Sequence, residues 1–267
     1  MNPQSLANAL QPIHWPLFVL VSARVVGVML IAPVWSMATI PASIRGALAV
    51  VVSLAILPGV PDTPVAVDGV SVLAPLATEI VLGLAIGLSS AVFMAAVSVA
   101  AEVISLQMGL SLGVALGGMA DVGSPGIGQL EGQFSLAVYV AVGGHLALLG
   151  AVARSFHTIA PGAPLGVEAG GHALLTLGGT VFSIAVQVAA PMMVALLITN
   201  IGLAVLNRAV PQLNTMMVAV PITVSVGLIA IGASLPFALD VVGRWAASAG
   251  ANADAMVRAF TPLGAVR

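Results

Sequence analysis

Two apolar runs without a single Asp, Glu, Lys or Arg, Ile80 to Ala101 and Gly132 to Ala153, constrain this chain more than any other feature. At about 1.5 Å per helical residue, each is long enough to cross the roughly 30 Å hydrocarbon core of a bilayer. Composition agrees: of 267 residues, 60% are hydrophobic and 6% charged, where soluble domains carry about a quarter charged. The predicted fold class is all-α, a polytopic membrane protein with long kinked helices and hairpins. A net charge of −2 and the absence of lysine leave no basic stripe for nucleic acid. The absence of cysteine excludes disulfides, thiolate metal ligands and Cys nucleophiles. The first seventeen residues lack Lys and Arg, and Arg24 interrupts the apolar run after them. That run therefore reads as a retained first helix, not a cleavable signal peptide.

Along the chain, Trp15 suits an interfacial anchor, and a first helix is predicted over about Leu17 to Ala32. Arg24 inside it is costly in lipid, so it should face protein or a wet cavity. Pro33 and Pro41 bracket a connector, and a second helix is predicted over about Ser43 to Leu57, with Arg45 at its start. A Pro/Gly/Asp loop follows. The next apolar stretch runs from near Val70 to Gly118, too long for one span. It requires two helices meeting near Ser89-Ser90, a strongly tilted helix, or one that protrudes from the bilayer. Gly83 and Gly87 form a GxxxG face, and Glu79 lies one turn before Gly83. Further helices are predicted over Gln133 to Ala153, over Leu174 to Asn207 with a kink at Pro191, and over Met216 to Leu239. The last is interrupted by Pro221 and ends near Pro236. The positive-inside rule ties: in a six-span arrangement Arg45 and Arg208 fall on one side, Arg154 and the tail arginines on the other.

Between the two charge-free runs lies Ala101 to Gly132. Glu102 and Gln107 stand in apolar sequence, and Gly109, Gly113 and Gly117 recur at every fourth position. On a helix those glycines share one face and admit close backbone approach. Beyond Gly118 the glycines turn irregular around Pro125, a loop signal, and Asp121 and Glu131 are the only charges. Lipid cannot satisfy the peptide groups of such a loop, so at membrane depth it must be buried in protein or line a cavity.

Several chemistries can be weighed on these residues. Gly109 to Gly113 matches G-x-S-x-G around Ser111, but no strand precedes it to form a hydrolase elbow. His14, His145, His157 and His172 show no metal-ligand spacing, so no metal is expected. Without GxxxxGK[ST] and without lysine, no nucleotide or other cofactor is expected either. Arg24, Glu79 and Glu102 are candidates for a proton relay, or more plainly for inter-helix ion pairs. Over-long, proline-broken helices also fit a secondary transporter of a small solute or ion.

Five segments in register resemble the flagellar biosynthesis protein FliR family of type III export-gate subunits. Arg24, Ala32-Pro33-Val34, Ile40-Pro41 and Arg45 are similar to its R…AP…IP…R/K region, and Glu102 with Leu106-Gln107-Met108-Gly109-Leu110 to its E…LQMGL signature. Gly144-His145-Leu146 and Phe156-His157-Thr158 resemble its NGHL…FHT pair, with Gly143 in place of Asn. Leu206-Asn207-Arg208, Pro211-Gln212-Leu213-Asn214 and Pro221 resemble its LNR…PQLN…P corner. The family's D-P pair is here Asp121-Val122-Gly123-Ser124-Pro125.

The resemblance implies a non-enzymatic channel subunit of the bacterial inner membrane, in the flagellar basal body and partly raised toward the periplasm. The implied partners are FliP-like and FliQ-like gate subunits, an FlhB-like switch protein and transiently unfolded export substrates. It also implies a FliP-like part over residues 1–170, a FliQ-like hairpin over 171–244 and a tail over 245–267. Pore and plug residues would be Met108, Gly109, Leu110, Gly113, Gly117, Gly118, Met119, Asp121, Gly123, Pro125 and Gly128. Inter-helix or subunit contacts would come from Arg24, Glu79, Glu102, Gln107, Asn207, Arg208, Gln212 and Asn214, with Arg24 and Glu79 a candidate buried pair.

Overall fold

Prolines and glycines set where these helices begin and stop, and the apolar runs between them decide their length. A computed structural model describes residues 15–37, 39–61, 72–109, 127–210 and 215–262, with the backbone alone for 127–131 and 215–217. The described residues are mostly helical and contain no strand. Helix α1, Trp15–Ile31, stops just before Pro33, as expected where proline disfavours the helical conformation of its predecessor. Helix α2, Ala42–Ile56, starts directly after Pro41. Arg45 closes the connector between them by donating from Nη2 to the carbonyls of Met37 (3.2 Å) and Ile40 (3.3 Å). A 3-10 turn, Leu57–Gly59, ends that hairpin.

Helix α3, Leu73–Gln107, is one unbroken element of 35 residues, about 52 Å long. Ser89 and Ser90 do not interrupt it: their hydroxyls donate back to the carbonyls of Ile86 (2.7 Å) and Gly87 (3.0 Å). Gly109, at φ 76, ends it, since glycine enters the left-handed region without a Cβ penalty.

The single helix predicted over Gln133 to Ala153 is instead two, α4 (Ile127–Ala141) and α5 (Gly144–Thr158). The break is at Gly143, whose φ of 80 no right-handed helix accommodates. Two other expectations are corrected. Helix α6 begins at Val167, not at Leu174, and runs to Ala209 with Pro191 inside it. Helix α7 spans Thr215–Ala259 and passes through both Pro221 and Pro236, so it does not end near Pro236. A proline removes one intrahelical hydrogen bond, and in a long apolar helix the many remaining bonds have no better alternative.

Four described helices are long and apolar enough to cross a membrane, and a fifth if α4 and α5 make one broken span. The chain folds as two compact units, with α3, α6 and α7 each contributing a segment to both. Unit 1 comprises residues 1–92, 142–178 and 247–267. Its core gathers Val21, Val25, Val28, Ile86, Leu148, Val152, Phe156 and Phe260. Unit 2 comprises 93–141 and 179–246. There Ala96, Ala100 and Ile104 on α3, with Met108 just after it, pack with Ala185, Ala189, Met192 and Leu196 on α6. Phe93 stacks on Trp245 with ring centroids 4.4 Å apart.

Candidate functional site

In unit 1, α1 and α3 touch backbone to backbone. A Cβ at Gly83 would lie 2.2 Å from the Arg24 carbonyl oxygen, and one at Gly27 2.7 Å from that of Ile80. At Gly87 it would lie 2.8 Å from the Val28 carbonyl oxygen. Only glycine permits this crossing. Arg24 precedes Gly27 by three residues and Glu79 precedes Gly83 by four, so each ionisable side chain shares a face with the glycine that admits its partner helix.

The two side chains meet in the interior, 0% and 2% exposed. Arg24 Nε donates to Glu79 Oε2 at 2.6 Å and Nη2 to Oε1 at 3.0 Å, a bidentate pair. Helix α5 and the loop after it supply the rest. Nη1 donates to Ser155 Oγ at 2.9 Å, and Nη2 also to the Ile159 carbonyl at 3.1 Å. The Gly162 N–H donates to Glu79 Oε1 at 2.8 Å. The Phe156 ring lies 4.0 Å from the guanidinium carbon, a cation–π contact in a desolvated setting. Both carboxylate oxygens are thus occupied and the pair is out of contact with water, which suits a structural tie between α1, α3, α5 and the 159–166 loop. Glu102 is not part of it: it is exposed, lies in unit 2 and makes no ion pair among the described residues.

In unit 2 the residue after α3 is buried. Met108 is fully enclosed, and its carbonyl accepts a hydrogen bond from the Thr223 hydroxyl of α7 at 3.1 Å. Gln107 beside it is half-buried. Asn207 and Arg208 sit in the exposed last turn of α6. Gly128 lies in the first turn of α4. Leu110, Gly113, Gly117, Gly118, Met119, Asp121, Gly123, Pro125, Gln212 and Asn214 lie outside the described residues, as does Ser111. Among the described residues no three His, Asp or Glu side chains come close enough to hold a metal ion.

Sequence reasoning overlooked Ser155, Gly162, Thr223 and Gly227. Ser155 adjoins the Phe156-His157-Thr158 motif and Thr223 follows Pro221 by two, so proximity to a motif was the available signal.

Long apolar helices tied by a buried ion pair define a polytopic α-helical membrane protein. The family described as bacterial export proteins, family 1, matches residues 15–248 of this chain. The chain belongs to that family. It is 31% identical over 226 residues to the flagellar biosynthetic protein FliR of Escherichia coli (strain K12), covering 83% of each chain. With the protein of the same name from Pectobacterium carotovorum subsp. carotovorum the identity is 28% over 235 residues, 88% of each. With that of Aquifex aeolicus (strain VF5) it is 31% over 220 residues, 80% of this chain and 83% of the relative.

Proposed function

We propose that this chain is a structural, non-enzymatic subunit of a flagellar type III protein export gate in the inner membrane, helping to form and plug the export pore. The observation that carries the proposal, beside family membership, is the apolar surface of α6. Its 43 residues extend about 64 Å. Large apolar side chains are exposed from Val167 and Leu175 through Phe182 and Ile198 to Val205 and Leu206. A bilayer covers about 30 Å of such a surface, and the remainder needs protein around it. Partners of the same kind, the FliP-like and FliQ-like subunits, supply that cover in an assembly partly raised toward the periplasm. On this reading residues 1–170 act as a FliP-like part, 171–244 as a FliQ-like hairpin and 245–267 as a tail. An FlhB-like switch protein borders the gate, and unfolded substrates pass through it. The glycine-rich segment from Leu110 through Gly113, Gly117 and Asp121 to Pro125 is the plug: glycine backbone moulds to a closed pore and yields at small steric cost.

Purification from membranes in mild detergent tests the assembly. The chain is expected to emerge with several small membrane proteins; a homomeric particle that binds a small solute would instead support a transporter. Deleting Gly117 to Gly123 tests the plug. Increased ion leak with continued export is expected, and unchanged conductance would overturn this part of the reading.

A further inference from the structure

Met108, the residue that follows α3, is fully buried, at a helix terminus where carbonyl groups lack intrahelical partners. Gly109 turns the chain out of the helix at φ 76. Two residues of α7, one turn apart, meet that end. Met108 occupies a notch at Gly227: a Cβ there would come within 2.8 Å of Met108 Cγ, 2.6 Å of its sulfur and 2.5 Å of Cε. Any side chain at residue 227 would therefore have to displace that of Met108. One turn before it, the Thr223 oxygen is 3.1 Å from the Met108 carbonyl, 3.0 Å from that of Ala219 and 3.1 Å from that of Val220. A threonine inside a helix is satisfied by its own preceding turn. Thr223 has one hydroxyl proton for three carbonyls, and of these only Met108's lies outside α7.

We propose that Thr223 and Gly227 are positioning residues that pin Met108, the residue after α3, to α7 and so fix the root of the glycine-rich segment. This inference rests on the reading of that segment as a plug. Met108 then serves as the anchored knob from which the segment starts, its side chain held by shape and its carbonyl by a hydrogen bond.

The test uses the full chain in its native membrane assembly. Because the protein has no cysteine, Met108→Cys with Gly227→Cys creates one pair, and an oxidant is expected to close an intrachain disulfide between them. Thr223→Val keeps the shape of the side chain and removes the proton donor; it is expected to raise ion leak severalfold, while Thr223→Ser, which retains the hydroxyl, stays tight. Gly227→Val is expected to leak by expelling Met108, and the volume-conserving pair Met108→Ala with Gly227→Val to restore the seal. Failure of the disulfide to form overturns the pinning whatever the segment does. A disulfide that forms, with leak after deletion of Gly117 to Gly123 but none in Thr223→Val or Gly227→Val, overturns the positioning role alone. No leak in the deletion or in either variant overturns the plug reading, and the positioning role with it.

Discussion

Arg24 and Glu79 show how a membrane protein tolerates charge at full burial. Removing both ions from water costs several kcal/mol each, and only a complete set of partners offsets that. Glu79→Gln leaves the guanidinium without its counter-charge and is expected to destabilise the protein by about 3–5 kcal/mol, read as a lower thermal midpoint in detergent. Arg24→Met combined with Glu79→Leu is expected to lie closer to the parent than either single variant, because no lone ion remains. Two glycines, one packed and one open, give a paired prediction. Gly83→Ala drives a methyl into the Arg24 carbonyl and should cost about 1–3 kcal/mol by overpacking. Gly202→Ala, with nothing within 4 Å, should be neutral or stabilising by up to about 1 kcal/mol. Thermal unfolding of the two proteins side by side checks both. Each charged residue stood out in the sequence as an ion in an apolar run, and their pairing across 55 positions was already a candidate there. The further partners that complete the pair, Ser155, the Ile159 carbonyl and the Gly162 N–H, were not legible, because nothing local marks them.

At the level of the helix, the position of a break depends on how a residue enters its backbone conformation more than on its reputation as a breaker. Pro191, Pro221 and Pro236 all lie inside helices, whereas Gly143 at φ 80 splits the run between α4 and α5. The family pattern has Asn at that position, the other residue that readily adopts the left-handed region. Gly143→Asn is therefore expected to fold with little loss, and Gly143→Val to lose at least about 1–2 kcal/mol, measured by thermal stability and resistance to protease. The ends of α1 and α2 were legible to within two residues because Pro33 and Pro41 act locally. The continuation of α7 to Ala259 was not, because an apolar helix can carry a proline when its other backbone groups have nowhere better to bond.

For the whole molecule, α6 presents more apolar length than lipid can cover. Leu175 and Val205, toward the two ends of α6, are 76% and 64% exposed in the isolated chain. Leu175→Cys and Val205→Cys, made singly in the cysteine-free chain, are both expected to resist a membrane-impermeant maleimide in the intact assembly. At least one should react once detergent has stripped the partners away; labelling of either in the intact assembly would count against protein cover at that position. The sequence by itself determined the helical class, the membrane environment and the family, because these follow from local periodicity, charge scarcity and short motifs that survive along the chain. Only the packed helices bring Ser155 to Arg24 and Gly162 to Glu79, and Met108 to Thr223 and Gly227. Such contacts depend on which glycines let two backbones close to touching distance, and that is fixed by how helices distant in sequence pack together.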